Sequence, residues 1–263
     1  MNRSQQDEGS QELVLEGYLA VQAALAGNVR EIHRLLIDRT RATRRSTRLV
    51  ADAKRQGIGV EQVDRAVIDR LTGRTSHGGI AAVVSERRFL SPNRLAEDLV
   101  RLESEQPPFV VMLDGIEDPY NLGFALRSLF AAGIDGVVLR QRSWGESEAT
   151  ILRSSAGAFD HARIALAESA ESGAAPFRRQ DFAIAATAQT ERSRSLFEVE
   201  HRRPLFLLIG GERRGITRSF LDACDLVLHI PYGRQFDGSL GAAAAAAVIG
   251  FEFLRKRAVD PLP

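Results

Sequence analysis

The chain has 263 residues, with 44% hydrophobic and 26% charged side chains and a formal charge of +1, a composition that supplies a sizeable core and excludes a disordered or fibrous protein. No apolar run approaches the roughly 18 residues that span a bilayer, the start lacks the apolar segment of a signal peptide, and Cys224 is the single cysteine, which excludes an intrachain disulfide and a cysteine-built zinc site. A cytoplasmic protein of one large or two modest domains is expected.

Residues 1–10 are expected to form a disordered tail. Residues 16–27 predict a helix with Leu19, Ala23 and Ala26 on one side, stopped by Gly27-Asn28. A strand is predicted over 32–38, a polar basic helix over 43–56 ended by Gly57, and another strand over 58–63. Asp64 is placed to cap a short helix over 66–71, and 79–85 reads as a further strand. These elements compose a small α/β unit over 11–88. Its basic stretch, from Arg39 to Arg55, holds seven cations against one acid, Asp52. Such a cluster suits phosphate contacts, which are electrostatic and indifferent to base sequence, and Arg41, Arg44, Arg45 and Arg48 are the candidate RNA-binding side chains. A solvated helix face is the competing reading.

Residues 89–107 read as a linker and first helix, with Ser91 or Asn93 as its cap. Strand-like runs then fall at 109–113, 136–139, 162–166, 182–186, 205–209 and 226–230, with helices at 122–132, 148–156, 193–199 (short), 217–223 and 240–257. Apolar strands separated by helices predict a parallel sheet covered on both faces. Ligands of such sheets bind beyond the carboxyl ends of the strands, so the loops that follow strands carry the interest.

Three such loops stand out. The first is Asp118-Pro119-Tyr120-Asn121-Leu122-Gly123, followed by Arg127. Asn121 is a plain candidate N-cap. It does not share a helix face with Arg127, six residues on, and both reach one site only if the chain there is irregular. The second is Gly210-Gly211-Glu212-Arg213-Arg214-Gly215-Ile216, whose glycines admit a close backbone approach to a ligand. It lacks the glycine spacing of a dinucleotide fingerprint, and the chain has no phosphate loop, which argues against a nucleotide-binding oxidoreductase. The third runs from Ile230-Pro231 through Gly238 to Ser239-Leu240-Gly241, and leads through the alanine run 242–247 into the last helix. Ser239 is a fair cap for that helix.

Taken together in order and spacing, these loops resemble the three motifs of the SpoU (TrmH-type) RNA 2′-O-ribose methyltransferases. Arg153-Ser154-Ser155-Ala156-Gly157-Ala158 is similar to a further stretch usual in that family, and the amino-terminal unit, with His77-Gly78-Gly79-Ile80, to its ribosomal-protein-like substrate-binding domain. The resemblance implies a SPOUT-type trefoil-knotted methyltransferase domain over 108–263, with S-adenosylmethionine held by backbone groups around Gly210, Ile230 and Leu240. It also implies a homodimer, structured RNA as partner with ribosomal RNA favoured over transfer RNA, and no metal or membrane. By the same resemblance Arg127 activates the ribose hydroxyl, Asn121 and Glu212 orient it, and Ser239 hydrogen-bonds within the site.

A ribose hydroxyl is a poor nucleophile, and an in-line approach to a sulfonium methyl supplies most of what the reaction needs. Arginine is almost always protonated, so Arg127 is read first as an electrostatic stabiliser of the developing alkoxide and only second as a base. One departure weakens the resemblance. Gly241 stands where the family has Asn, after a loop about one residue longer than usual, and glycine offers only backbone where Asn donates and accepts. A weak or inactive RNA-binding or ribosome-assembly protein is therefore the alternative, unless Gln235 or Asp237 compensates.

Overall fold

The structure, a computed structural model, describes residues 13–41, 43–102, 104, 106–142, 147–200, 203–211 and 215–259, with residues 258 and 259 by their backbone alone. The expected tail over 1–10 and the candidate residue Glu212 lie outside the described residues. The chain divides into two compact units at Arg87/Arg88.

In the first unit, β1 (Leu13–Glu16) is followed by α1 (Tyr18–Gly27), β2 (Ile32–Asp38), α2 (Arg44–Arg55), β3 (Gly59–Val63), α3 (Arg65–Thr72) and β4 (Ile80–Val84). The sheet order is β1-β4-β2-β3, with β4 antiparallel to both neighbours and β2 parallel to β3. The helix expected over 16–27 thus begins later. Residues 13–16 form a strand instead, because Leu13, Val14, Leu15 and Glu16 complete the ladder of the fully buried β4. Helix α2 opens with a reciprocal capping box between Thr43 and Ser46. It buries Ser46, Leu49 and Ala53 on one face and leaves its arginines to solvent. Asp64 occupies the N-cap position of α3 without a side-chain capping bond; its carboxylate pairs with Arg39 at 3.1 Å.

The second unit contains α4 (Pro92–Val100), β5 (Phe109–Asp114), α5 (Pro119–Ala131), β6 (Gly136–Arg140), α6 (Ser147–Ser154), α7 (Ala158–His161), β7 (Ile164–Ala167), α8 (Ala170–Arg179), β8 (Ala183–Thr187), β9 (Arg194–Ser195), β10 (Leu205–Gly210), α9 (Arg218–Ala223), β11 (Leu226–His229) and α10 (Ala242–Val259). Among the described residues the sheet runs β7-β6-β5-β10-β8-β11-β9 and every pairing is parallel, as expected from the alternation of apolar strands and helices. Within β5, Val110 and Met112 join a core with α4, α8 and α9, while Phe109 meets Phe253 of α10 on the other face, ring centroids 4.1 Å apart. Both faces are covered, so the central strands are apolar except at their carboxyl ends. Ser91 caps α4 by accepting from Arg94 N, and Leu90, in the stretch read as a linker, exchanges backbone bonds of 3.0 and 3.1 Å with β7.

Three further sequence expectations are corrected. Residues 193–199 are not a helix: β9 pairs with the open edge of β11, and Lys256 Nζ donates to the carbonyls of Leu196 and Val199 in the turn that follows. Helix α8 was not expected, because Gly173 and Pro176 oppose a helix interior. A Ser169/Ser172 capping box starts it, and burial of Ala174 and Phe177 holds it. The cap of α5 is Asp118, which accepts from Tyr120 N at 2.9 Å, and not Asn121. Cys224 is buried, donates to Phe220 O, and has its thiol pKa pushed up to about 11 chiefly by burial, so it is no nucleophile near neutral pH.

Candidate active site

Beyond the carboxyl ends of β8, β10 and β11 lies a cavity of about 310 Å³, where the rule for open α/β sheets puts a ligand. Three consecutive loops line it: Thr187, Ala188 and Gln189 after β8, Ile209 to Gly211 with Gly215 and Ile216 after β10, and Leu228 to Ile230 after β11. The entry to α10 closes it with Ser239, Leu240, Ala242, Ala245 and Ile249. Gly210, Ile230 and Leu240, named from sequence as cofactor-holding positions, therefore line one cavity, and Ser239 joins them.

The floor depends on glycine. A Cβ at Gly211 would sit 2.4 Å from the carbonyl oxygen and 2.6 Å from the carbonyl carbon of Gly115, in the loop after β5. The two loops meet backbone to backbone, and no side chain fits between them. At the opposite wall, Leu240 N donates to Tyr232 Oη at 3.0 Å, which folds the 231–240 segment back on itself. Ser239 is not the cap of α10. That helix begins at Ala242, and the carbonyl of Gly241 accepts from Ala245 N at 3.0 Å.

The first-loop residues lie elsewhere. Helix α5 is regular from Pro119, so Asn121 and Arg127 occupy different faces, and neither lines the cavity. Arg127 is exposed and shares its face, at helical spacing, with Tyr120 and Phe124, 47% and 48% exposed. Gly123, between them, meets α6: a Cβ there would fall 1.8 Å from Ser154 Oγ. The stretch around Ser154 thus serves to pack α6 against α5. No group of His, Cys, Asp and Glu that could hold a metal occurs among the described residues.

Sequence reasoning missed Thr187, Gln189, His229 and Tyr232. The signal for the first two is their place at and just beyond the carboxyl end of β8, where ligands of open sheets bind. His229 lies on the cavity wall with its Nδ1 3.1 Å from Ser193 Oγ, a contact created by the unforeseen β9.

In the first unit, Arg41, Arg44, Arg45 and Arg48 are all exposed, and the guanidinium of Arg45 lies 5.3 Å from the Tyr18 ring centroid. Arg39 and Arg55 are instead engaged by Asp64 and Asp52. His77 is buried, 1% exposed. Its Nδ1 accepts from Gly79 N at 3.0 Å, so Nε2 carries the hydrogen toward Asp69 Oδ1 at 2.7 Å. It pins the turn before β4 and does not face RNA.

Comparison with known proteins adds to this geometry. The profile of the SpoU rRNA Methylase family matches residues 108–251, and that of the RNA 2′-O ribose methyltransferase substrate-binding domain matches residues 14–90. The 23S rRNA (guanosine-2′-O-)-methyltransferase RlmB of Xanthomonas axonopodis pv. citri is 33% identical over 232 residues, which covers 88% of this chain and 90% of that protein. Among solved structures, the AdoMet-bound rRNA methyltransferase of Sinorhizobium meliloti superposes with a TM-score of 0.73 at 23% identity, over 97% of this chain and 89% of that one. The SpoU methyltransferase AviRb of Streptomyces viridochromogenes, in complex with AdoMet, gives 0.73 at 21% identity, over 95% and 92%.

Proposed function

The chain belongs to the SpoU rRNA methylase family, and from that membership and the cavity we infer that it is a methyltransferase that modifies a ribose 2′-hydroxyl of ribosomal RNA. By analogy with its 33%-identical relative, the target is a guanosine of 23S rRNA. The observation that carries the reading is the convergence of Gly210, Ile230, Ser239 and Leu240 on one cavity at the carboxyl ends of three adjacent strands.

The cavity fits S-adenosylmethionine. Its volume is at the lower end of the range for small-molecule sites, apolar Ile209, Ile216, Leu228 and Ile249 offer surface to an adenine, and Thr187, Gln189, His229 and Ser239 offer polar contacts at the rim. When bound, that group supplies an electrophilic methyl on a sulfonium. The chain's own residues do the rest. Arg127 stabilises the negative charge that grows on the ribose oxygen as its proton leaves. Ser239 donates or accepts within the pocket, and Arg41, Arg44, Arg45 and Arg48 hold the RNA backbone. The orienting role that the resemblance implies for Asn121 is not met within one chain, because it lies on another face of α5 from Arg127.

Because Arg127 lies beside Tyr120 and Phe124 and not in the cavity of its own chain, the reading includes a homodimer. The exposed apolar side chains of α5 and those of α10, Phe251 and Leu254, support pairing through these two mutually packed helices. A trefoil knot in the 108–263 domain, where the carboxy-terminal segment threads through a loop, and a cytoplasmic location complete the proposal. No described helix is long and apolar enough to cross a membrane.

The test is transfer of labelled methyl from S-adenosylmethionine to total RNA of a strain lacking this protein. Label in ribose at one site of ribosomal RNA supports the enzyme. Gly241 motivates a second reading, a weak or inactive RNA-binding protein: it contributes only backbone ahead of α10, and Gln235 and Asp237 are exposed on the neighbouring loop. Cofactor binding without label in any RNA pool would favour that reading.

Combined replacement of Arg44, Arg45 and Arg48 by alanine is expected to flatten the salt dependence of RNA binding. Each lost phosphate contact removes about 0.7–0.9 from the slope of log affinity against log salt, so three remove about 2.1–2.7. Anisotropy titrations with 23S rRNA fragments over a salt series measure this, and an unchanged slope would assign these arginines to a solvated face.

A further inference from the structure

The loop that lengthens the third motif places aromatic rings where a methyltransferase of RNA has a use for them. Phe236 is 60% exposed, the most exposed phenylalanine among the described residues, and Tyr232 is 38% exposed. The Phe236 ring lies against the backbone of Gly238, where a Cβ would sit 2.5 Å from Cζ. It leans on Tyr232 with centroids 5.9 Å apart and planes at 55°. Tyr232 is itself fixed by the bond from Leu240 N to its hydroxyl. Together with Arg234 these rings line a second surface pocket of about 440 Å³, which shares Ile230, Tyr232 and Leu240 with the cavity described above.

We propose that Tyr232, Phe236 and Arg234 form a stacking platform for a base of the RNA, at or next to the methylated nucleotide. The proposal rests on the methyltransferase reading. If the ribose is to reach the cavity, its own base or an adjacent one lies within a nucleotide's length of the shared rim. Unstacked bases are recognised in RNA by aromatic faces and guanidinium planes, and stacking of this kind tolerates any base because every base has a π-face. The platform is pre-set by Gly238 and the Tyr232 hydroxyl bond, so little ordering is required on binding. A second copy of the chain is the rival occupant. Arg234 in the lining of the patch argues against it, since the cores of protein interfaces are depleted of charge, and the larger set of exposed apolar side chains on α5 and α10 (Tyr120, Phe124, Phe130, Phe251 and Leu254) suits that role better.

The experiment compares the parent with Phe236→Ala and Phe236→Tyr, using in vitro transcribed 23S rRNA for both methyl transfer and filter binding. Loss of one stacked base corresponds to about tenfold or more in affinity. Phe236→Ala is expected to raise KM for the transcript by about tenfold and to weaken its binding equally, with kcat little changed. S-adenosylmethionine affinity and the oligomeric state should match the parent, and Phe236→Tyr should recover most of the loss. Parental KM and binding in Phe236→Ala would overturn the platform. So would a change of oligomeric state, which would assign Phe236 to the subunit interface. A parent that binds the transcript but transfers no methyl overturns the enzymatic reading alone, and the binding comparison then still decides the platform.

Discussion

Replacing Arg127 by alanine is expected to lower methyl transfer by about a hundredfold to a thousandfold, the cost of removing one preorganised group that stabilises developing charge. The side chain is exposed on α5 and makes no bond to another described residue, so its loss removes no packing within its own chain, and surface substitutions of this kind usually change stability by about 0.5 kcal/mol or less. The melting temperature and S-adenosylmethionine affinity should therefore stay at parental values while kcat falls. Arg127→Lys keeps the positive charge without the planar fork and should recover a minor part of the rate. Steady-state methyl transfer beside calorimetric cofactor titration separates the two effects. Parental turnover in Arg127→Ala would remove this residue from the catalytic machinery and return the problem to the rim residues Ser239, Gln189 and His229.

Gly211→Ala should do the opposite and damage the cofactor site through the backbone. Its new methyl carbon would fall 2.4 Å from one backbone atom of Gly115 and 2.6 and 2.8 Å from two others, none of which belongs to a flexible side chain. The loops after β5 and β10 must part, and β5 and β10 are paired at the centre of the sheet, so strain spreads into the core. Overpacking of this kind costs about 1–3 kcal/mol, a fall of several degrees in melting temperature for a domain of this size. The cavity floor moves with the loop, and cofactor affinity is expected to drop by about tenfold or more. Gly233→Ala, in open space with no atom within 4 Å of the added carbon, is the control and should be neutral by both measures. Parental thermal stability and cofactor binding in Gly211→Ala would show that the loops are not held at this contact.

How far these features were legible in the sequence depends on the range of the forces that place them. The apolar runs of the second unit, separated by helices, determined a parallel sheet covered on both faces, because an unbroken apolar strand has no other stable surroundings. The resemblance to the SpoU motifs marked Gly210, Ile230 and Leu240 as cofactor-holding positions although 20 and 10 residues separate them in turn. Gly210 and Ile230 lie at the carboxyl ends of β10 and β11, and Leu240 at the entry to α10, where the topology collects them. Local capping was equally legible where Ser91 begins α4, since that bond lies within one turn of chain.

Only the tertiary structure decided the rest. Residues 13–16 are a strand because β4 has a free edge to offer them, and 193–199 carry a strand because β11 does the same; neither edge is visible in the segment that uses it. Helix α8 survives its Gly and Pro because the sheet buries Phe177, a long-range gain that local propensity omits. The meeting of Gly115 with Gly211, and of Phe236 with Tyr232 beside the cavity, follows from loops brought together by strand order. The sequence by itself determined the periodicities and the chemistry of each loop, because these depend on neighbours a few residues away. Which loops touch, and which faces of α5 stay open, depended on packing across the whole sheet, where the burial of distant apolar surface outweighs local preference.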